Sequence, residues 1–323
     1  MVACCSAGLQ HLAIARVSTA YNAEAFYRGL IEHKLIVPVG VRGVFGRCAV
    51  FDDVLHRFDA LLIQLSSKDR YEACTFPPVI DRQVLEKVRY FDAFPQLCGC
   101  VYSFFGAEPQ TKELADRIHD ERPWDDLLGM TQVVLNPAAC YPLYPTLTGI
   151  LPDEGRQVTM LNWVFRHEPS PEPTRMQSFR VREFVHMGTS DQVLRWREIW
   201  LARGMELLPS LGLDVKSEVA ADPFFGSGAQ SLCASQKARR LKFELSVPVI
   251  SQEHPTALCS FNFHQAFFGL TFDIRTADER IANSACVGFG LERIVMALFK
   301  THGFDVAGWP SSVRSRLWPE DGA

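Results

Sequence analysis

The sequence predicts a mixed α/β (α+β) fold in which a mostly antiparallel sheet is flanked by helices. Three observations lead there. Strand-like segments follow one another through the second half of the chain, mostly without a crossover helix between them, and strands joined directly are antiparallel by geometry. Amphipathic stretches with apolar residues near a 3.6 period lie among them. No GxGxxG joins a strand to a helix, and neither a GxxxxGK loop nor a GxSxG elbow occurs, so the nucleotide-binding and hydrolase folds built on those motifs do not apply.

The elements follow in order. Asn22 to Leu35 reads as a helix, and after Pro38-Val39-Gly40 a second runs from about Arg47 to Ser67, with Phe51, Val54, Leu55, Phe58, Leu61, Leu62 and Leu65 on one face. Tyr71 to Phe76 is a strand stopped by Pro77-Pro78, and Thr131 to Leu135 another, stopped by Asn136-Pro137. Val158 to Glu168 and Gln177 to Met187 form a hairpin around a proline-rich loop. Thr189 to Leu208 is a helix capped by Thr189 or Ser190. Arg240 to Val247, Leu258 to Phe263 and Leu270 to Ile274 read as strands. The last predicted helix runs from about Phe289 to Thr301, entered through Gly288-Phe289-Gly290.

With 323 residues, 47% of them hydrophobic and 22% charged, the chain can bury a sizeable core, which excludes disorder. Its net charge of -4 argues against a broad cationic surface for nucleic acid, so neither DNA nor tRNA is an expected partner. No uncharged apolar run reaches about 18 residues, and Met1 to Ala20 has no basic start; a cytoplasmic protein without a membrane partner is the expectation. Ten cysteines are too dilute for a disulfide scaffold and form no zinc-ribbon pair, so most are reduced thiols.

Two segments carry candidate chemistry. Arg166 and Glu168 in Phe165-Arg166-His167-Glu168 sit two apart at a predicted strand end and so share a face, a cation to hold a phosphate beside an anion to hold an amine or hydroxyl. In Cys286-Val287-Gly288-Phe289-Gly290-Leu291-Glu292-Arg293, glycines admit close approach to a ligand and Arg293 in the first helical turn reaches an anion there. Either alone is also what an ion pair or helix-start packing would look like.

The order of the segments resembles the catalytic domain of class II aminoacyl-tRNA synthetases, specifically the seryl type. Tyr71 to Ile80 resembles motif 1, Phe165 to Glu168 with Phe179 to Phe184 resembles motif 2, and Gly288 to Arg293 resembles motif 3. The resemblance spans roughly residues 36 to 310, leaving 1–35 as an N-terminal extension and 311–323 as a tail. It implies adenylation of an amino acid by ATP with magnesium. Arg166 would grip the α-phosphate, Glu168 would lie by the adenine, Phe184 would stack on the base and Arg293 would bind the γ-phosphate. Arg166, Glu168 and Arg293 are thus the implied catalytic residues, with Lys242 a further phosphate contact. Motif 1 implies a homodimer, with the 47–67 helix at or near its interface.

The chain enters this fold within about forty residues, without the helical arm with which seryl-tRNA synthetases grasp tRNA. It is therefore identified as similar to the truncated amino acid:carrier-protein ligases, which resemble the zinc-dependent seryl-tRNA synthetases of methanogens and pass the aminoacyl group to a carrier protein's phosphopantetheine thiol. Cys140, Glu183 and Cys286 match that branch: two thiolates and a carboxylate that would hold one zinc per subunit and leave a position open for the substrate amine. Glu183 and Phe184, as neighbours on a strand, face opposite sides unless a bulge or strong twist intervenes. Asp222 and Asn262 are further candidate substrate contacts, and glycine or alanine is the favoured amino acid. Lys237, Arg239 and Arg240 form the densest basic cluster, an expected landing place for an acidic carrier. The alternatives are a tRNA-charging enzyme that borrows a partner for tRNA, and a non-catalytic binding paralogue.

Overall fold

The computed structural model describes residues 22–319. The chain begins with α1 (22–32), whose Ala23, Phe26 and Leu30 are buried at helical spacing. A small ribbon of β1 (Ile36–Pro38) and β2 (Phe45–Arg47) leads into α2 (Ala49–Leu65), followed by β3 (Glu72–Cys74) and β4 (Val79–Asp81). Next come α3 (Arg82–Lys87), α4 (Tyr90–Ala93), β5 (Cys100–Phe104), α5 (Glu108–His119) and β6 (Leu128–Leu135). The remainder is β7 (Gly149–Ile150), β8 (Arg156–Phe165), β9 (Ser178–Gly188), α6 (Ser190–Ser210), β10 (Lys216–Val219), α7 (Ala229–Ala238) and β11 (Lys242–Val247). It closes with β12 (Thr256–Gln265), α8 (Phe267–Phe272), β13 (Ile274–Arg275), β14 (Asn283–Gly290), α9 (Leu291–His302) and α10 (Ser311–Leu317).

A seven-stranded sheet in the order β10-β11-β12-β14-β9-β8-β3 organises these elements. Every neighbouring pair is antiparallel except β3 with β8. The predicted hairpin is its centre: β8 and β9 pair without a break from Arg156↔Met187 to Phe165↔Ser178. One face is covered by α6, which buries Val193, Trp196, Trp200, Leu207 and Leu208. That helix starts in a capping box, Gln192 N–H donating to Thr189 Oγ1 and Thr189 N–H to Gln192 Oε1 at 2.8 Å. Tyr71, where motif 1 begins, accepts hydrogen bonds from the Trp196 and Trp200 indoles, both at 2.7 Å.

The apolar stripe of α2 is where the sequence put it, but Phe51, Val54, Leu55, Phe58 and Leu62 all face this chain's own core. Val50 and Ile63 are the large apolar residues of that helix left exposed, which leaves little of its stripe for a partner. Residues 22–35 and 311–319, the described parts of the two segments expected outside the 36–310 unit, pack on its core, whereas 1–21 and 320–323 lie outside the described residues: Phe26 of α1 stacks on Phe304, and α10 buries Val313 and Leu317 against α2, with Trp318 donating to Asp53 at 2.8 Å.

Leu270 to Ile274 is not a strand. The segment is mostly α8, with Phe268, Gly269 and Phe272 buried and only Ile274–Arg275 extended beside β7. Leu270-Thr271-Phe272-Asp273-Ile274 alternates apolar and polar residues as a strand would, but five residues are too few for that alternation to exclude a helical turn. Gly269 decides the packing, since a Cβ there would collide with the Ala282 carbonyl.

Candidate active site and metal centre

A cleft of about 900 Å3 opens on the sheet face turned away from α6. Its floor is made by alternate residues of adjacent strands: Phe179, Val181 and Glu183 of β9, and Cys286, Gly288 and Gly290 of β14. The loop after β6 and residues 222–228 form walls.

At one end stand two arginines. Arg166 donates through Nε to the Pro137 carbonyl at 3.1 Å, and Arg293 donates to the carbonyls of Thr174 at 2.9 Å and Ala257 at 3.1 Å. Both guanidinium carbons lie 5.9 Å from the centroid of the Phe179 ring. Burial, then the neighbouring Arg166 charge, lowers the Arg293 pKa, so the pair is poised to take an anion. β8 ends at Phe165, so Arg166 and Glu168 are not strand neighbours sharing a face. Instead His167 N–H donates to Leu97 O at 3.0 Å and Glu168 N–H turns back to Arg166 O at 2.7 Å, which pulls the chain off the ladder. Glu168 is half-buried and is not among the cleft-lining residues.

Phe184 is not in the cleft. The pairing of β9 with β8 and β14 has no register shift, so Glu183 and Phe184 point to opposite faces. Phe184 is fully buried under α6, stacked on Trp200 with centroids 4.1 Å apart. Of the two phenylalanines of β9, the one that lines the cleft is Phe179, four residues before Glu183 and on its face. The parity of positions 179, 181 and 183 was the signal that would have found it.

Lys242 lies in the cleft wall, but its ammonium is held between Asp222 Oδ1 and Glu244 Oε1, each at 2.8 Å. Its charge is matched by these two acids rather than offered to a phosphate. Asp222 also accepts from Gln236 Nε2 at 2.8 Å. Burial works against its charge, but Lys242 and Gln236 outweigh burial and hold the carboxylate below its ordinary pKa. Asn262 lines the cleft with its amide nitrogen 3.3 Å from Ser260 Oγ and 3.4 Å from Cys286 Sγ.

The other end of the cleft unites the three residues expected to hold zinc. Cys140, Glu183 and Cys286 are 2%, 7% and 4% exposed, and one donor atom from each lies within 4.8 Å of the others. Cys140 arrives on the loop after β6, tied down by Asn136 N–H to Pro78 O at 3.0 Å and Leu143 N–H to Cys140 O at 3.0 Å. Burial, then the charge of Cys286, pushes the Glu183 carboxyl up to about 8, while its Oε2 is buried with no hydrogen-bond partner. Burial raises the Cys140 thiol, and donation from Cys140, with help from His264 and Asn262, lowers Cys286. A bare trio of acids this close is costly unless protonated or bridged by a cation. Two sulfurs and a carboxylate with one orphaned oxygen fit zinc as three protein donors, which would leave a fourth position for a ligand from the cleft.

Comparison with known proteins agrees with the geometry. Amino acid–acyl-carrier-protein ligase 2 of Bradyrhizobium diazoefficiens is 43% identical over 285 residues, covering 88% of this chain and 85% of that protein. Ligase 1 of the same organism is 41% identical over 289 residues, covering 89% and 88%. The chain belongs to the amino acid–acyl-carrier-protein ligase family. No protein-family profile matches it. The type-2 serine–tRNA ligase of Methanococcus aeolicus is 29% identical over 286 residues; the match covers 82% of this chain but 53% of that protein. The fold of this ligase is also that of M. kandleri SerRS, solved in complex with A. aeolicus tRNASec, at a TM-score of 0.77 and 20% identity over 92% of this chain and 61% of that one. The prolyl-tRNA synthetase of Cryptosporidium parvum follows at 0.63 and 12% identity over 86% of this chain. Among the described residues, no helix of the ligase is long and apolar enough to cross a membrane.

Proposed function

We propose that this ligase activates glycine or alanine with ATP and transfers it to the phosphopantetheine thiol of a carrier protein. The observation that carries the reading is the opening of the buried Cys140–Glu183–Cys286 donor set into the same cleft as Arg166, Phe179 and Arg293. In the first half-reaction an amino-acid carboxylate oxygen bonds to the α-phosphorus of ATP and the bond to pyrophosphate breaks. In the second, the thiol sulfur bonds to the acyl carbon and AMP leaves.

Arg166 holds the α-phosphate and Arg293 the terminal phosphates, where they offset the charge that develops as pyrophosphate departs; ATP would enter as its magnesium complex, whose ion would neutralise further phosphate charge. Phe179 supplies the platform for the adenine between them. Zinc, when bound by Cys140, Glu183 and Cys286, offers an open position to a neutral amine. The attacking carboxylate is already ionised, so no general base is required. Asn262 donates its amide N–H groups to Ser260 Oγ and Cys286 Sγ, which fixes it in the wall beside the substrate. Asp222, Gln236 and Lys242 lock the wall beside the substrate.

Lys237, Arg239 and Arg240 are exposed at the end of α7, and Arg239 also lines the cleft, which favours docking of an acidic carrier there. A homodimer is part of this reading. The test measures metal content, amino-acid-dependent ATP–pyrophosphate exchange and loading of a phosphopantetheinylated carrier. Expected are zinc near one per chain, exchange with glycine or alanine, and loss of loading alone when the three basic charges are reversed. A folded protein with no exchange for any amino acid would overturn the reading, and charging of tRNA by the purified chain would replace the acceptor.

A further inference from the structure

More than one side-chain nitrogen approaches Cys286. Besides Asn262 Nδ2, His264 Nε2 lies 3.6 Å from its Sγ, and the other ring nitrogen of that histidine, Nδ1, lies 3.0 Å from Ser284 Oγ. The backbone aims this ring. β12 pairs with β14 residue for residue up to Phe263↔Ala285, but the next pair is Gln265↔Ser284, leaving His264 as one residue in excess. Gln265 closes the bulge at a φ of +57°. A bulge of this kind re-aims a side chain that a regular strand would point elsewhere. Phe268 and Tyr144 then hold the ring edge-on, at centroid distances of 4.9 and 6.2 Å.

We propose that Ser284 and His264 form a relay that fixes an N–H hydrogen bond onto the Cys286 sulfur and thereby sets how strongly that sulfur donates to the zinc. The inference rests on the zinc reading above. Its tautomer follows from the partners. A metal-holding thiolate accepts hydrogen bonds and donates none, so Nε2 must carry the proton and Nδ1 must accept from the Ser284 hydroxyl. Ser284 is fully buried, and His264 Nδ1 is the only partner of its hydroxyl among the described residues. A separation of 3.6 Å would also suit two ligands of one ion. His264 is nevertheless outside the set of donors that all lie within 4.8 Å of one another, so it touches Cys286 without joining the ligand set. A thiolate that accepts hydrogen bonds gives less electron density to its ion, which then binds the substrate amine more firmly. His264 and Ser284 are therefore positioning residues.

The test compares the cobalt(II)-substituted wild type with His264→Ala, Ser284→Ala and Ser284→Thr, using Cys286→Ser as the ligand-loss control and melting of the metal-free chains as the folding control. The readouts are the thiolate-to-cobalt charge-transfer band, zinc affinity against a chromophoric chelator, and KM for amino acid and for ATP. Both alanine variants should move the band in one direction and change zinc affinity by about 10- to 100-fold. They should alter KM for the amino acid but not for ATP, and threonine, which keeps the hydroxyl, should return the band toward wild type. An unmoved band and affinity in both alanine variants would reduce the relay to packing. Complete loss of cobalt in His264→Ala with Ser284→Ala unchanged would make the histidine a ligand and overturn the proposal. If the wild type binds neither metal, the zinc reading itself falls; if Cys286→Ser alone loses metal, only the relay does.

Discussion

The two faces of β9 handle buried polar groups in opposite ways. On the face toward the helices, Arg180 is held by Glu292 at 2.9 Å and by Asp52, and Arg182 is clamped by Asp59 at 2.7 and 2.6 Å. On the cleft face, Glu183 keeps a buried oxygen without a partner, beside two thiols. Paired buried charge is architecture and breaks even at best, whereas unpaired buried charge is tolerated where a ligand completes it. One strand carries both kinds at consecutive positions because its two faces never meet.

The sharpest break of this contrast is Glu292→Ala, which removes the fully buried carboxylate shared by Arg180 and Arg47 and leaves the buried Arg47 guanidinium without its ion-pair partner. It should lower stability by about 3–5 kcal/mol, read by chemical denaturation, and leave metal affinity unaltered in the protein that remains folded. Glu183→Gln should do the reverse: metal lost and pyrophosphate exchange reduced about 10²- to 10³-fold, with melting of the metal-free chain no lower than wild type. A destabilised Glu183→Gln would show that this carboxylate is structural after all.

A third comparison separates the aromatic residues of the two faces. Phe179→Ala should weaken ATP binding by about 1–3 kcal/mol, seen as a raised KM for ATP in the folded protein, along with a loss of stability because the ring is buried. Phe184→Ala should cost about 3–5 kcal/mol of stability through the void left against Trp200, with KM for ATP kept. The smallest effect concerns Tyr71, packed edge-on against Phe184 at 5.2 Å, whose phenol is pushed up to about 12 mainly by burial. The folded state therefore holds this proton more tightly than the unfolded chain, whose tyrosines titrate near 10. Its contribution to stability is complete below about pH 10 and is lost as pH rises through about 12, and Tyr71→Phe should flatten the alkaline stability profile in that window.

Much of this was legible in the sequence where one local pattern sufficed. The stripe of α2, the Thr189 cap and the hairpin with its proline loop each follow from a few neighbouring residues. The meeting of Cys140, Glu183 and Cys286 was legible only through resemblance, since the fold rather than their spacing brings their donor atoms together. What stayed hidden needed knowledge of the opposite element. Lys242 looked free because its partner Asp222 lies twenty residues earlier. Phe184 looked like the base-stacking ring because nothing in the sequence says which face α6 covers. Helices α5 and α7 bury no residue, so no apolar stripe announced them.

The floor strand β14 leaves a mutational asymmetry. Of its three cleft-facing positions, Cys286, Gly288 and Gly290, two have no side chain to remove, and a Cβ on Gly288 would already stand 3.4 Å from Glu183 Oε1. Single substitutions at those glycines can only raise the floor. A lineage of this ligase can therefore narrow its cleft at β14 step by step, but it must recruit changes elsewhere, in β9 or the loop walls, to admit anything larger.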